Sequence, residues 1–221
     1  MTDNKYRIAI IGGTGAEGSG LAIRWANAGH QIIIGSRDAA KAQAVAAELN
    51  GRLNSSKISG ATFDDAAKAA EIVVLTVPFA AQISTVGALR THLQGKILIN
   101  VTVPLVPPKV SQVQLPPTDS CVVAVQNALG DSVRVVSAFQ NVSAHKLKDL
   151  NYEVQCDVLV CGNDKDARQL VIGLARDARL RGIDAGLLVN STVAESLTSV
   201  LIWINRTYKI PDAGIAITGI A

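Results

Sequence analysis

Short runs of apolar, often β-branched residues alternate with stretches of helical periodicity along the first two thirds of the chain. Runs such as EIVVLTV at 71–77 and KILINVTV at 96–103 have the length and composition of buried strands. Between such runs, apolar residues recur at helical spacing, for instance at 16–28, where Gly29 supplies a stop signal. Strands that alternate with helices predict right-handed crossovers. The predicted fold class is therefore α/β, with a Rossmann-type, doubly wound parallel sheet.

The pattern changes at residues 104–118. This segment holds five of the seven prolines, so it cannot form a regular helix or a central strand. A long irregular loop of this kind within a compact fold is typical of a functional or a disordered segment. The sequence predicts a Rossmann domain at 1–145, and a small C-terminal α/β extension at 146–221.

The C-terminal third predicts a strand at 153–162 and a long helix that begins at Asn190 or Ser191. The helix carries an apolar stripe at helical spacing, which we expect to pack on the sheet or on a second subunit. The stripe consists of Val193, Leu197, Val200, Leu201 and Ile204.

Three glycines follow the first predicted strand in the pattern G-x-G-x-x-G, and a helix follows them. Gly13 is expected to permit the tight turn, and Gly15 to let the backbone approach a pyrophosphate. Gly18 is expected to let the helix lie close to the strand. The pyrophosphate would then lie on the free N–H groups at the start of the helix. Glu17, whose charge is unfavourable beside a phosphate, is expected to point into solvent.

The end of the second predicted strand indicates which dinucleotide binds. NAD-binding sites place an acidic residue there, about 20 residues after the glycines. This chain has Ser36 and Arg37 instead, followed by Lys41. A hydroxyl, a guanidinium and an ammonium can together bind a 2′-phosphate, which predicts NADP(H). Two alternatives stay open: these cations are ordinary solvated charges, or Asp38 binds the ribose and the cofactor is NAD.

Composition and charge exclude several classes of function. The net charge of +3, from 21 basic and 18 acidic residues, is too small and too scattered for a nucleic-acid-binding protein. No apolar run reaches the 18 residues of a membrane span, and the polar start MTDNKYR is not that of a signal peptide. The three cysteines lack metal-ligand spacing and predict a reducing compartment. We therefore expect a cytoplasmic protein without a metal site or a membrane or nucleic-acid partner.

Several motifs make the chain similar to the NADPH-dependent reductases of the deazaflavin coenzyme F420 (F420H2:NADP oxidoreductases). They run from IGGTGAEGSGLAIRWANAGHQIIIGSR, through VVLTVP, VPLVP, VVSAF and VCGNDKDA, to VNSTVAESLTSVLIWIN. The resemblance covers essentially the whole chain. It implies an oxidoreductase that transfers a hydride between NADP(H) and F420, or a related deazaflavin or flavin, as a small-molecule co-substrate. It also implies a homodimer, with the C-terminal domain at 146–221 forming the substrate cleft and the dimer contact.

The glycine motif and the resemblance together imply a set of cofactor-binding residues. These are Gly13, Thr14, Gly15, Ala16, Glu17 and Gly18 near the pyrophosphate; Ser36, Arg37 and Lys41 at the 2′-phosphate; Thr76, Val77 and Pro78 at a strand end; Val101, Thr102 and Val103 on the nicotinamide side; and Ala138, Phe139 and Gln140 along the cleft.

No side chain is expected to act as a catalytic acid or base, because the two redox groups supply the reactivity and the protein orients them. We expect C4 of the nicotinamide and C5 of the deazaflavin to stack about 3–3.5 Å apart. Cys121 and Cys161 lie on apolar segments and are interpreted as core residues. His145, near the predicted cleft, is the one histidine considered for a functional role.

One position departs from the family pattern. Archaeal members carry a histidine where this chain has Gln140. A glutamine amide forms hydrogen bonds but cannot carry a positive charge. The sequence therefore leaves the electron acceptor open among F420, a flavin and another small molecule. A non-catalytic NADP(H)-binding sensor is a further alternative from a different class of function.

Overall fold

The computed structural model describes residues 4–220, in which eight strands form one sheet with α-helices on both faces. The strands are β1 (Arg7–Ile11), β2 (Gln31–Ser36), β3 (Ile58–Thr62), β4 (Ile72–Leu75), β5 (Ile97–Asn100), β6 (Arg134–Ser137), β7 (Asp157–Gly162) and β8 (Arg181–Asp184). The helices are α1 (Ala16–Asn27), α2 (Ala39–Leu53), α3 (Phe63–Ala69), α4 (Phe79–Ala88), α5 (Arg90–Leu93), α6 (Cys121–Leu129), α7 (Lys165–Asp177) and α8 (Ser191–Tyr208), with short 3₁₀ turns at Ala144–Lys146 and Leu188–Asn190.

The strand order confirms the Rossmann-type prediction. It runs β3-β2-β1-β4-β5-β6-β7-β8, and all neighbouring strands are parallel except β6 and β7. The order of the first six strands is that of the dinucleotide-binding fold, in which ligands bind at the carboxyl ends of the strands where the order reverses. β7 and β8 extend the same sheet, and the domain division at residue 145 stays a prediction.

Alternate residues of each central strand pack into two apolar layers. Ile8 and Ile10 of β1 belong to the layer beneath α1, α2 and α7, whereas Ala9 and Ile11 belong to the layer beneath α3 to α6. All four residues are fully buried. Because both faces of the sheet are covered, the central strands are continuous apolar runs and do not alternate with polar residues.

Two C-terminal elements differ from the sequence prediction. The strand predicted at 153–162 forms only over its second part, as β7. In α8, Val193 and Val200 are 65% and 43% exposed, so these two residues do not pack on the sheet, and packing on a second subunit stays a prediction for them. Leu201 does lie in the core. Within residues 4–220, no helix combines the length and apolarity that a membrane crossing needs.

A buried carboxylate explains which face of α8 is covered. Glu195 accepts hydrogen bonds from the Ser120 hydroxyl at 2.5 Å and from the Cys121 backbone N–H at 2.8 Å. These donors stand at the N-terminus of α6, where the helix dipole and free N–H groups favour a negative charge. The polar contact therefore turns Glu195 inward and leaves the valine side of α8 at the surface.

A single buried arginine joins α1 to the C-terminal third. Arg24 is 1% exposed, and its guanidinium donates hydrogen bonds to five backbone carbonyls. The acceptors with the shorter distances are Leu147 (2.7 Å), Ala178 (2.9 Å), Asp149 (2.9 Å) and Tyr152 (3.1 Å). Since these carbonyls belong to two separate segments, Arg24 fixes both segments against the first helix.

Two neighbouring side chains strengthen this junction. The Trp25 indole donates to the Leu174 carbonyl of α7 at 2.8 Å and meets Phe139 edge-on. His30 is buried, with Nδ1 accepting from the Tyr6 N–H and Nε2 lying 3.0 Å from an Asp177 carboxylate oxygen. The first helix and the turn after it are thus each joined to α7 by a hydrogen bond.

Candidate functional site

A cleft of about 970 Å³ opens at the carboxyl ends of the central strands. It brings together most of the predicted site residues. Those that line it are Thr14, Gly15, Glu17, Ser36, Arg37, Lys41, Thr76, Val77, Pro78, Val101, Thr102, Val103, Phe139 and Gln140. Gly13, Ala16, Gly18 and Ala138 do not line it.

The tight turn after β1 depends on Gly12 more than on Gly13. Gly12 has φ +88°, a conformation that side chains disfavour, and its N–H donates to the Gly35 carbonyl. Gly13 has no such backbone angle; a Cβ there would lie 2.8 Å from the Ile10 carbonyl oxygen. The Gly13 N–H donates to that same carbonyl, so Gly13 is needed for close packing within the turn, and the left-handed backbone angle lies at Gly12.

The other two glycines of the motif differ in the space around them: Gly15 is open and Gly18 is tightly packed. A Cβ on Gly15 would meet nothing closer than the Gly12 carbonyl at 3.5 Å, so this backbone is open towards the cleft. A Cβ on Gly18 would lie 2.7 Å from the Gly13 Cα and 2.8 Å from the Thr76 hydroxyl oxygen. Gly18 therefore allows α1 to approach the strands closely, as the spacing predicts.

This contrast predicts different effects for two alanine substitutions. Gly18→Ala should lower the free energy of unfolding by about 1–3 kcal/mol, because it overpacks a site with no space. Gly15→Ala should change stability by less than about 0.5 kcal/mol, yet weaken NADPH binding about tenfold or more if the phosphates lie on this backbone. Denaturant titration and calorimetry measure the two effects. Wild-type NADPH affinity in Gly15→Ala would contradict the proposed position of the phosphates.

The N-terminus of α1 faces the cleft with free donors. Gly15 is the N-cap residue, and no side chain caps the helix. The N–H groups of Ala16, Glu17 and Gly18 have no acceptor within the helix, because first-turn donors lack one by geometry. Together with the helix dipole, they form an anion-binding site.

Glu17 does not point into solvent, contrary to the sequence prediction. It lines the cleft, and its Oε1 is buried without a hydrogen-bond partner. Burial raises the pKa of its carboxyl group to about 8. Near neutral pH the group is therefore mostly protonated and uncharged, which removes the electrostatic conflict with a phosphate at the same helix end.

The second strand ends in a different arrangement of charges. The Asp38 carboxylate accepts from the N–H groups of Ala40 (2.9 Å) and Lys41 (3.3 Å), so it caps α2. The Asp38 N–H in turn donates to the Ser36 hydroxyl oxygen. Arg37 and Lys41 are exposed, and neither side chain has a hydrogen-bond or ion-pair partner in the described part of the chain. Two cations are thus available here, whereas the nearby carboxylate is occupied.

The opposite wall of the cleft is mainly apolar and contains one unsatisfied amide oxygen. Gln140 donates from Nε2 to the Asn100 carbonyl at 2.7 Å and to the Ser137 hydroxyl oxygen at 2.8 Å. These two contacts fix the amide orientation, because a carbonyl oxygen cannot donate. Gln140 Oε1 is buried and has no partner. Buried acceptors of this kind are costly unless a ligand or water donates to them.

Sequence analysis missed several lining residues. These are Gly12, Phe63, Phe79, Ala81, Ser84, Thr85 and Thr198. Phe63 and Phe79 each begin a helix close behind a strand, and that position alone could have indicated them. Thr198, which donates to the Gln140 carbonyl, comes from α8 and carried no sequence signal towards the cleft.

The remaining candidates lie outside the cleft. His145 is exposed and lines a separate pocket. Cys121 and Cys161 are buried, which confirms the core interpretation, and burial raises the pKa of the Cys161 thiol to about 11. Burial, together with the neighbouring Glu195, also raises the pKa of Cys121. Neither thiol is suited to act as a nucleophile near neutral pH.

Comparison with known proteins supplies the family. A family profile described as "NADP oxidoreductase coenzyme F420-dependent" matches residues 7–104. The F420-dependent NADP reductase of Methanocaldococcus jannaschii is 42% identical, over 97% of this chain and 99% of the relative. The chain belongs to this family. The F420-dependent NADP reductase of Methanothermobacter marburgensis is 39% identical over 97% of this chain and 99% of its own length.

Solved structures agree with the membership of the F420-dependent NADP reductase family. A crystal structure from Arthrobacter sp. FB24, described as a candidate F420-dependent NADP reductase, has a TM-score of 0.80 at 28% identity and covers 96% of this chain and 100% of its own. An NADP-bound pyrroline carboxylate reductase from Plasmodium falciparum has a TM-score of 0.55 at 14% identity and shows the shared fold alone. The chain is thus an oxidoreductase on a dinucleotide-binding fold.

Proposed function

We propose that NADP(H) and coenzyme F420 exchange a hydride in the cleft at the carboxyl ends of the central strands. One observation carries this proposal: a single cleft contains a free helix N-terminus, two unpaired cations and an apolar wall. A dinucleotide with an extra phosphate needs the first two features, and a pair of stacked aromatic rings needs the third.

The residues of the glycine turn fit the pyrophosphate. The backbone at Gly15 is open to the cleft, and the first N–H groups of α1 lack acceptors within the helix. Arg37 and Lys41 would hold the 2′-phosphate, because both are exposed and unpaired in the described residues. Asp38 supports NADP(H) over NAD, since its carboxylate already caps α2.

The apolar wall would hold the rings and exclude water. Val77, Val101 and Phe139 contribute apolar surface, and Gln140 Oε1 would accept an N–H of a bound ring or carboxamide. When both co-substrates are bound, they supply the hydride donor and acceptor, and the protein supplies position and a dry environment. No ionisable side chain on this wall is required to move a proton.

An acceptor screen tests this function. NADPH oxidation is followed by its absorbance with F420, with flavin mononucleotide and with no acceptor. We expect rapid turnover with F420 and none without an acceptor. Turnover with the flavin alone would reassign the acceptor. Tight NADPH binding without turnover on any acceptor would favour the NADP(H)-binding sensor and overturn the enzymatic proposal.

The raised pKa of Glu17 predicts a pH dependence of cofactor binding. Below about pH 8 the carboxyl group is protonated, and above it the carboxylate adds a negative charge beside the proposed phosphate site. NADPH affinity of the wild type should therefore fall about tenfold between pH 7 and pH 9.5. In Glu17→Gln, which stays neutral throughout, the affinity should be nearly constant. Calorimetry at both pH values measures this; parallel pH profiles for the two proteins would contradict it.

We also propose that the protein is a homodimer whose contact includes the exposed side of α8. Val193, Val200 and Trp203 form an apolar face there, and Val189 and Leu187 continue it. Apolar patches of this kind are typical of subunit contacts. Trp203→Lys should shift the sedimentation coefficient from dimer to monomer. The same change at Ile83, an exposed apolar residue of α4, should leave it unchanged. A wild-type monomer at micromolar concentration would refute the dimer.

A reducing compartment, such as the cytoplasm, completes the proposal. Cys121, Cys156 and Cys161 are buried free thiols. Thiols of this kind persist where glutathione and thioredoxin keep proteins reduced.

A further inference from the structure

A second pocket, rich in cations, lies beside the cofactor cleft. Its volume is about 510 Å³. Four basic side chains line it, from the end of α2 and from the segment that follows the cleft: Arg52, His145, Lys146 and Lys148. Asp149 is the one carboxylate among the lining residues. The pocket therefore carries an excess of positive charge that the proposed hydride transfer does not use.

Most of this charge is available to a ligand. The Lys148 ammonium and the His145 ring have no side-chain partner in residues 4–220. Arg52 donates from one nitrogen to the Lys148 carbonyl at 2.8 Å, and its other donors stay free for a ligand. Lys146 lies over the Tyr152 ring, 5.3 Å from the ring centroid. Asp149 Oδ1 already accepts from the Asn151 N–H.

Two elements each contribute one residue to the cleft and one to the pocket. Ala144 lines the cleft and His145 lines the pocket, within one 3₁₀ turn. On α1, Glu17 lines the cleft and Ile23 lines the pocket. These two positions are six residues apart in sequence, which is about 9 Å along the helix axis. A flexible chain attached to a ring in the cleft could reach the pocket over this distance.

The segment that carries the cations has a fixed position. Arg24 donates to the carbonyls of Leu147 and Asp149, on either side of Lys148. The Lys148 carbonyl is itself held by Arg52. The backbone beneath the lysine ammonium is therefore anchored, as a preformed binding site requires.

The distribution of charge indicates the ligand. The cationic side chains that line the cleft are Arg37 and Lys41, which the 2′-phosphate would occupy. Coenzyme F420 carries a phosphodiester and a chain of γ-linked glutamates on its ribityl group, and these anions need other cations. We propose that the pocket formed by Arg52, His145, Lys146 and Lys148 binds the anionic tail of the deazaflavin. This inference rests on the proposed function of the cleft.

Three deazaflavins test this assignment. They share one ring system and end in the full glutamate tail, in the phosphodiester without glutamate, or in the bare ribityl alcohol. With the wild type, the KM for the full-tail compound should be about tenfold lower than for the alcohol. In Lys148→Glu this preference should disappear, while kcat with the alcohol and the KM for NADPH stay unchanged. Lys148→Arg should retain the preference.

A matched control has the same charge change elsewhere. Lys165, an exposed residue at the start of α7, lines none of the three pockets described by the structure. Lys165→Glu should behave like the wild type with all three deazaflavins. An intermediate KM for the phosphodiester compound would assign part of the site to phosphate and the rest to the glutamates.

The outcomes separate this inference from the proposed function. Equal KM values for the three compounds in the wild type, or an equal loss in Lys148→Glu and Lys165→Glu, would overturn the tail site and leave the hydride transfer standing. Absence of turnover with every deazaflavin would overturn the function, and a titration of deazaflavin fluorescence would then decide whether the tail still binds. Binding of the full-tail compound no tighter than the alcohol would reject the site in that case too.

Discussion

Arg24→Met will lower the free energy of unfolding by about 3–5 kcal/mol in denaturant titrations. Methionine retains much of the side-chain volume, so the loss reports on hydrogen bonds rather than on a cavity. The guanidinium serves carbonyls in two segments, with distances of 2.7 Å to Leu147 and 2.9 Å to Ala178. Buried carbonyls without donors cost about 1–3 kcal/mol each, which sets the scale of the effect.

One intermediate variant and one control variant test whether the loss of stability comes from the Arg24 hydrogen bonds. Arg24→Lys keeps the charge but offers fewer directed donors, so it should fall between methionine and the wild type. Arg90→Ala removes an exposed arginine from α5, and it should change stability by less than about 0.5 kcal/mol. A loss below about 1 kcal/mol in Arg24→Met would show that water replaces the guanidinium at these carbonyls.

Arg37→Ala will weaken NADPH binding by about 1.5–3 kcal/mol, the usual contribution of a hydrogen bond to a charged group. Binding of NADH should stay unchanged, because NADH lacks the phosphate that Arg37 would contact. The selectivity follows from Asp38, whose carboxylate caps α2 and so contributes little to a ribose. Calorimetric titration of both nucleotides measures the two affinities in one series.

The same titration includes its control. Arg90→Ala removes the same type of side chain from outside the cleft, and it should leave both affinities unchanged. An equal loss of NADPH and NADH binding in Arg37→Ala would place this arginine at a part of the dinucleotide that both cofactors share. The assignment of the 2′-phosphate would then fail.

Local patterns were sufficient to predict the sheet and the glycine turn. The central strands are continuous apolar runs because both faces are covered, and Gly18 is glycine because Gly13 and Thr76 leave no space for a Cβ. The cations at the end of β2 were equally visible, since a strand end followed by a helix fixes where Arg37 stands. Such features depend on neighbours that are close in sequence or on one recurring motif.

Features that depend on distant partners could not be predicted. Nothing near Arg24 in sequence indicates that its acceptors lie beyond residue 145. The inward turn of Glu17 and the buried side of α8 likewise depend on surfaces supplied by other elements. In α8 the hydrophobic pattern favoured the valine side, whereas Glu195 is buried because its partners stand at the start of α6.

Arg24 donates to backbone carbonyls at 146–152 and at Ala178, and these hydrogen bonds also limit how the molecule can move. The segment whose carbonyls accept from Arg24 follows directly after the residues that line the cleft. Arg24 itself lies on α1, which begins at the glycine turn. A hinge motion that moves α1 away from this segment would have to break several of the Arg24 hydrogen bonds at once. Nucleotide entry should therefore proceed without rigid-body domain rotation. The binding-competent conformation is then already the populated one, and the measured NADPH affinity should not be reduced by an unfavourable open-to-closed equilibrium.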